Sequence, residues 1–225
     1  MAELSNIKAC VFDAYGTLFD VHAPTAKVAD ALGPAAQALS EMWRLKQLQY
    51  TWLRSLMGEY VAFWQVTGEA LDYALAAHGI EDAALRKRLM DLYLTLDAYP
   101  DALDTLARLR EAGFATAILS NGSPDMLDAA VGSSGLGTEL DAVLSVEDVG
   151  IFKPDGRVYQ LAVDRMGVAR AEICFVSANA WDAAGAANFG FQVAHLNRFN
   201  QPPEGLPGRP KAILTTLAEL PPLLA

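Results

Sequence analysis

The stretch Ile7-Lys8-Ala9-Cys10-Val11-Phe12-Asp13-Ala14-Tyr15-Gly16-Thr17-Leu18 decides the fold. Ile7 to Phe12 is a short apolar, β-rich run, the pattern of a strand buried on both faces. It stops at an acid, followed by a glycine and a threonine. Similar runs recur at Phe114 to Leu119, Ala142 to Leu144, Ile173 to Val176 and Gln192 to Leu196, giving five expected strands. Between them lie helical patterns. Asp101 to Ala112 sets Leu103, Leu106 and Leu109 on one stripe and stops at Gly113; Val158, Leu161, Ala162 and Met166 repeat the pattern and stop at Gly167. Alternating strands and helices predict an α/β fold with a Rossmann-like, doubly wound parallel sheet.

The stretch from Val21 to Ala98 has a different character. No strand-like run interrupts it, and helical periodicity continues through Met42 to Met57, Tyr60 to Gln65, Leu71 to Ala77 and Leu85 to Leu94. It reads as an all-helical cap inserted after the first strand and its loop. Open α/β sheets bind ligands above the carboxyl ends of their strands, so the insert is expected to form a lid there. The expected organisation is a core of residues 1–20 and 99–225 with a cap of residues 21–98. Gln201 to Pro210 reads as a surface loop before the last helix, and no internal repeat is present.

Composition narrows the function. A formal net charge of -10 over 225 residues, with no compensating run of Lys and Arg, disfavours nucleic acid and anionic membrane as partners. The opening MAELSNIKAC has no basic segment followed by an apolar stretch, and no run of about 18 apolar residues occurs, so a cytoplasmic location is expected. Cys10 and Cys174 each lie in a strand-like run and read as reduced core thiols.

Four segments can carry chemistry. Asp13 ends the first strand. Leu119-Ser120-Asn121-Gly122 ends another with a hydroxyl and an amide, able to hold a carboxylate or a leaving group opposite Asp13. In Phe152-Lys153-Pro154, the proline ends any strand, so the lysine ammonium can return to the sheet edge and neutralise Asp13. Phe175-Val176-Ser177-Ala178-Asn179-Ala180-Trp181-Asp182 is a strand followed by polar groups and an acid near a helix start. Taken singly, each is also what a turn, a surface lysine or a helix cap would need.

Taken together, Asp13 with Thr17, Ser120, Lys153-Pro154 and the strand before Asp182 resemble the four ordered motifs of the haloacid dehalogenase superfamily, over essentially the whole chain. Most members are magnesium-dependent phosphatases, so the subgroup needs its own argument. A phosphatase of this kind carries a second Asp two positions after the nucleophile, to protonate the departing alkoxide. Tyr15 occupies that position, and a phenol of pKa about 10 is a poor substitute. Halide leaves without a proton. Magnesium wants several oxygen ligands, usually more than one of them a carboxylate, whereas Ser177 and Asn179 stand where carboxylates would help, leaving Asp182 as the lone acid of its loop.

In detail the chain resembles the L-2-haloacid dehalogenases, with Trp43-Arg44-Leu45-Lys46-Gln47-Leu48-Gln49-Tyr50-Thr51-Trp52-Leu53-Arg54 similar to that family's arginine-bearing cap helix. The resemblance implies hydrolytic dehalogenation of small (S)-2-haloalkanoic acids to (R)-2-hydroxy acids, with no metal or other cofactor. Asp13 would attack the halogenated carbon and form an ester that water then hydrolyses. Asp182 would act on that water with Ser177 and Asn179, while Lys153, supported by Tyr159, and Thr17 hold the Asp13 carboxylate. Arg44, Asn121 and Trp181 would cradle the halide. Ser120 and the backbone amides after Asp13, at Ala14 and Tyr15, would receive the substrate carboxylate. Tyr15, Leu45, Phe63 and Trp181 would surround the alkyl part. Two departures bear on specificity: Leu45 replaces a usual polar residue, and Lys153-Pro154-Asp155-Gly156 lacks a second proline. The family also suggests a homodimer through the apolar cap surface around Trp52 and Trp64. The competing readings are a magnesium-dependent phosphomonoesterase of the same superfamily and a catalytically silent member acting through its cap.

Overall fold

Six short apolar runs make the sheet: β1 (Ala9–Phe12), β2 (Ala115–Ser120), β3 (Ala142–Ser145), β4 (Ile173–Ser177), β5 (Gln192–Leu196) and β6 (Ala212–Leu214). The computed structural model describes residues 4–224. All five pairings are parallel and the strand order is β3-β2-β1-β4-β5-β6, so the chain begins at the centre, builds to one edge, then returns to build the other. The order reverses between β1 and β4, where a crevice opens at the carboxyl ends of the strands. Phe12 pairs with Val176 there, and the Asp13 amide extends the ladder by donating to the Val176 carbonyl at 2.9 Å.

Helices cover the sheet. Between β1 and β2 come α1 (Ala23–Lys27), α2 (Ala29–Leu32), α3 (Ala36–Met57), α4 (Phe63–Ala77), α5 (Ala83–Leu94) and α6 (Ala102–Glu111). The others are α7 (Pro124–Ser134), α8 (Gly156–Met166), α9 (Ala180–Phe189) and α10 (Leu220–Leu224). The segment between β1 and α6 thus carries five α-helices and no strand of the sheet among the described residues, as its periodicity predicts. It is tethered at one place: Phe19 and Ala98 form an antiparallel bridge, with Asp20 donating its amide to Asp97 at 2.9 Å and Tyr99 to Leu18 at 2.8 Å. Tyr15 and Phe152 of the sheet loops pack against Phe63 and Tyr60, at ring separations of 5.8 Å for Tyr15–Phe63 and 4.9 Å for Tyr60–Phe152. One apolar core thus runs from the sheet into the cap.

Three local expectations change. β6 is apolar but only three residues long, with Leu214 alone buried, too short a run to mark a strand in sequence. The buried stripe of α6 is Ala102, Thr105, Leu106 and Leu109, an i, i+3, i+4, i+7 set that leaves Leu103 exposed. Tyr60 to Ala62 form a non-helical link, and α4 then runs unbroken through both segments predicted separately, because α3 ends at Gly58 with φ of 72°. Cys10 and Cys174 are free, buried and directly opposed in the β1–β4 register; the hydrogen bond between them and burial push the Cys10 thiol up. No helix among the described residues is long and apolar enough to cross a membrane.

The loop before β6 is held at one point. Gly208 has φ of 88°, and a Cβ there would fall 2.3 Å from the Ala184 carbonyl oxygen and 2.9 Å from the Asn188 nitrogen in α9. Since backbone cannot yield as a side-chain tip can, Gly208→Ala is expected to cost about 2–4 kcal/mol and to lower the melting temperature by about 5–10 °C. Thermal unfolding checks this; an unchanged midpoint would contradict the packing described.

Candidate active site

The site forms where the carboxyl ends of β1, β2 and β4 meet the loop after β3. Asp13, one residue beyond β1, is 6% exposed. Its Oδ2 accepts from Thr17 Oγ1 at 3.1 Å and from Asn179 Nδ2 at 2.7 Å, and its Oδ1 accepts from Lys153 Nζ at 3.0 Å. The same ammonium donates to Asp182 Oδ2 at 2.8 Å, so one cation bridges two buried carboxylates. Tyr159 closes the far side by donating its hydroxyl to Asp182 Oδ1 at 2.8 Å.

Each group is placed by its own element. Lys153 follows Phe152, which is sealed in the core, and its backbone amide donates to Asn121 Oδ1 at 3.0 Å. That bond ties the loop after β3 to the loop after β2. Thr17 Oγ1 accepts from the Ala178 amide at 2.9 Å while donating to Asp13, linking the loops after β1 and β4. Asn179 and Asp182 begin α9. Tyr15 turns back over the β2 loop so closely that a Cβ on Gly122 would meet its ring at 2.7 Å. Only glycine fits beneath that ring.

From above, Arg44 in α3 reaches across the interface, its Nη2 donating to the Tyr15 carbonyl and to Asn179 Oδ1, both at 3.2 Å. Tyr15 stacks on Tyr93 at 5.7 Å and lies 5.8 Å from Phe63, forming an aromatic wall. Trp181 packs edge-on against Trp52 at 5.3 Å, and its Nε1 is buried without a partner. A cavity of about 440 Å³ lies beside Arg44, Asn179 and Trp181.

The electrostatics are those of a dry, charge-dense centre. Burial works against the Lys153 ammonium, but Asp13 and Asp182 together outweigh it and hold the lysine above its ordinary value. Burial raises Asp182 to about 6, with Lys153 opposing the rise and Asp13 adding to it. Burial also pushes the Tyr15 phenol well up, reinforced by Tyr93 and Asp13, so it holds its proton tightly. The cluster offers a carboxylate nucleophile, an adjacent carboxylate that titrates near neutrality and no ready proton donor beside the nucleophile.

The family model for haloacid dehalogenase-like hydrolases matches residues 7–190. The chain belongs to that hydrolase family. Over 99% of this chain and 96% of the relative, the hydrolase is 51% identical to the (S)-2-haloacid dehalogenase 4A of Burkholderia cepacia. Its fold superposes on a dehalogenase crystal structure with an intermediate complex at a TM-score of 0.96 and 50% identity, covering 100% of this chain and 99% of that one. It also matches the L-2-haloacid dehalogenase of Xanthobacter autotrophicus with chloropropionic acid covalently bound, at a TM-score of 0.90 and 40% identity over 96% and 98% of the two chains.

Of the residues expected in this hydrolase's site, Asp13, Thr17, Lys153, Tyr159, Asn179 and Asp182 form one hydrogen-bonded cluster, and Arg44, Tyr15 and Phe63 lie against it. Ser120 Oγ accepts from the Gly122 amide at 3.0 Å, which leaves its proton for a ligand. Ser177 touches neither carboxylate: its hydroxyl accepts from the Asn179 amide at 3.1 Å and shapes the loop. Leu45 does not join the alkyl wall. It is 59% exposed, because one residue along a helix turns about 100° and carries it off the face that Arg44 occupies. Leu48, at i+4, shares that face and lines the cavity instead. Gln47, at i+3, accepts from Arg44 Nη1 at 2.7 Å. Both follow from helical spacing once Arg44 is singled out, whereas Tyr93 carries no local signal.

Asp182 should take up its proton near pH 6, about two units above an ordinary aspartate. In Lys153→Met, which removes the opposing charge, the midpoint should move higher. Carbon-13 NMR of labelled aspartate follows both, and a wild-type midpoint below about 4.5 would refute the burial argument.

Proposed function

We propose that this hydrolase displaces halide from small (S)-2-haloalkanoic acids, producing (R)-2-hydroxy acids through an ester on Asp13. One Asp13 oxygen attacks the halogenated carbon from behind; the carbon–halogen bond breaks and the halide departs with its electron pair, unprotonated. Water then attacks the Asp13 carbonyl carbon and passes a proton towards Asp182. The bond from the Asp13 carbonyl carbon to the ester oxygen breaks, Asp182 returns its proton to the departing oxygen so that it leaves as the hydroxy acid, and the water's second proton passes to solvent, restoring the Asp13 carboxylate.

The observation that carries this reading is the closed donor shell around Asp13 and Asp182, in which the Asn179 amide nitrogen stands 2.7 Å from Asp13 Oδ2 where a carboxylate would help a cation. In a phosphatase of this superfamily a divalent cation would need those oxygens. Here they face N–H and O–H donors, with Asn179 turning its amide nitrogen to Asp13, so the donor set does not fit magnesium. The raised Tyr15 phenol leaves no ready acid at the position where a phosphatase of this superfamily would protonate its departing alkoxide. We therefore read the chemistry as metal-independent. The roles proposed are Thr17, Lys153 and Asn179 aligning the nucleophile, Arg44 with Asn121 and Trp181 holding the departing halide, and Ser120 with the Ala14 and Tyr15 amides receiving the substrate carboxylate. Tyr15, Phe63, Leu48 and Trp181 would enclose the alkyl part.

The same reading includes a core of residues 1–20 and 99–225, a cap of residues 21–98 and a cytoplasmic homodimer. The bridge between Phe19 and Ala98 supports those boundaries. The dimer is supported by exposed Leu45, Leu53, Leu56 and Met57 along α3, which offer more apolar surface than Trp52 and Trp64, both partly buried.

With enzyme in excess over 2-chloropropionate in oxygen-18 water, label should enter Asp13 and be absent from the first-turnover product. Label in product and none in Asp13 would eliminate the ester route. Halide release should persist in excess chelator and vanish in Asp13→Asn, while magnesium-dependent phosphate release would favour the phosphatase. Because Asp182 must be ionised to accept a proton, ester hydrolysis should be full above pH 6 and slow about tenfold per unit well below it. A flat rate from pH 7 to 4.5 would exclude Asp182 as the base.

A further inference from the structure

Gln47 is 1% exposed in the interior of a cap otherwise packed with Leu39, Trp43, Phe63, Leu71 and Leu89. An amide buried there without partners would cost stability, and packing alone would be served by an apolar side chain of the same length. Instead every polar atom of the residue is used. Oε1 accepts from Arg44 Nη1 at 2.7 Å and from the Tyr93 hydroxyl at 3.2 Å, while Nε2 donates to Thr67 Oγ1 at 2.8 Å and lies 3.1 Å from the Tyr93 oxygen. Thr67 is fixed in turn, donating to the Phe63 carbonyl at 2.8 Å and accepting at its own carbonyl from Trp43 Nε1 at 2.9 Å. The network draws on α3, α4 and α5, and its polar contact with the site runs through Arg44.

Arginine is long and flexible, and among the described residues Arg44 has no acidic partner within ion-pair distance to fix its head. Hydrogen bonds do so: Gln47 on one terminal nitrogen, the Tyr15 carbonyl with Asn179 Oδ1 on the other, and the Tyr93 hydroxyl beside them. Tyr15 and Asn179 belong to the loops that carry and align Asp13. Gln47 is the cap's anchor on Nη1, it also holds the Tyr93 hydroxyl, and it is fixed before any substrate arrives. We infer that Gln47 is a positioning residue for halide departure, acting through Arg44 by holding the guanidinium in the direction from which it meets the leaving group. This rests on the dehalogenase reading above.

A role in leaving-group stabilisation differs from a role in cap stability in how it depends on the halogen. Chloride is the poorer leaving group and draws more on the guanidinium in the transition state than bromide does, whereas a loosened cap would slow both alike. Single-turnover halide release from 2-chloropropionate and 2-bromopropionate, compared between wild type and Gln47→Met, reads this difference. Methionine preserves length and volume, and circular dichroism monitors the fold. Loss of a hydrogen bond to a charged group predicts about 10- to 100-fold slower chloride release, a smaller loss for bromide and a KM within about threefold of wild type. Equal losses for the two halides, or no loss, in a folded variant would overturn the inference. If Gln47→Met does not fold, Tyr93→Phe, which removes one support of Gln47, should give about 3- to 10-fold with the same halogen order, and equal losses there would overturn it too. Wild-type protein releasing neither halide would defeat the dehalogenase reading itself, a result distinct from halide release without halogen order in the variant.

Discussion

One ammonium organises this molecule. Lys153 Nζ lies within 3.0 Å of Asp13 and 2.8 Å of Asp182, with Lys153 and Asp182 sealed from water and Asp13 open only at the cleft. Two carboxylates buried that close repel each other and lose hydration, and a single lysine between them offsets both effects only if its own desolvation is matched. Here it is matched by geometry: Thr17, Asn179 and Tyr159 satisfy the remaining carboxylate lone pairs. The strand order makes this possible. Only where the sheet reverses between β1 and β4 can loops from both halves converge on one point, and the loop after β3 brings the lysine in beneath them.

The surrounding protein sharpens that centre. A chain of net charge -10 would repel an acid substrate at long range, yet the two cations facing the cleft, Lys153 from below and Arg44 from above, offset the charges of Asp13 and Asp182 locally. The aromatic wall of Tyr15, Phe63 and Tyr93 keeps the surroundings apolar, and charges act more strongly on one another where water is excluded.

The parallel sheet and its polar strand ends were legible because buried strands of this kind are continuous apolar runs, and an acid, a hydroxyl or an amide ending one is conspicuous. Asp13 and Ser120 are found that way, while Lys153 is singled out by the proline that follows it and Asp182 by the polar loop before a helix start. Legibility fades where the signal is spread over partners distant in sequence. β6 exists because β5 offers it an edge, and Tyr93 matters because Gln47 and Tyr15 lie against it. Leu45 was misplaced for a different reason: adjacency in sequence stood in for adjacency on a helix face. Ser177 looked like a contributor to the carboxylate cluster, and it serves the loop's shape because the Asn179 amide claims its oxygen.

The bridge of Phe19 to Ala98 carries an architectural consequence. The outgoing and returning chains are hydrogen-bonded neighbours where they pass between sheet and helices, so everything from Val21 to Asp97 hangs from a single two-stranded stalk. A short turn could join the stalk's two sides and leave all six strands with their partners. The helical segment is therefore a detachable module in the topological sense: insertions, deletions or exchanges within it alter what covers the cleft while the nucleophile's floor keeps its shape.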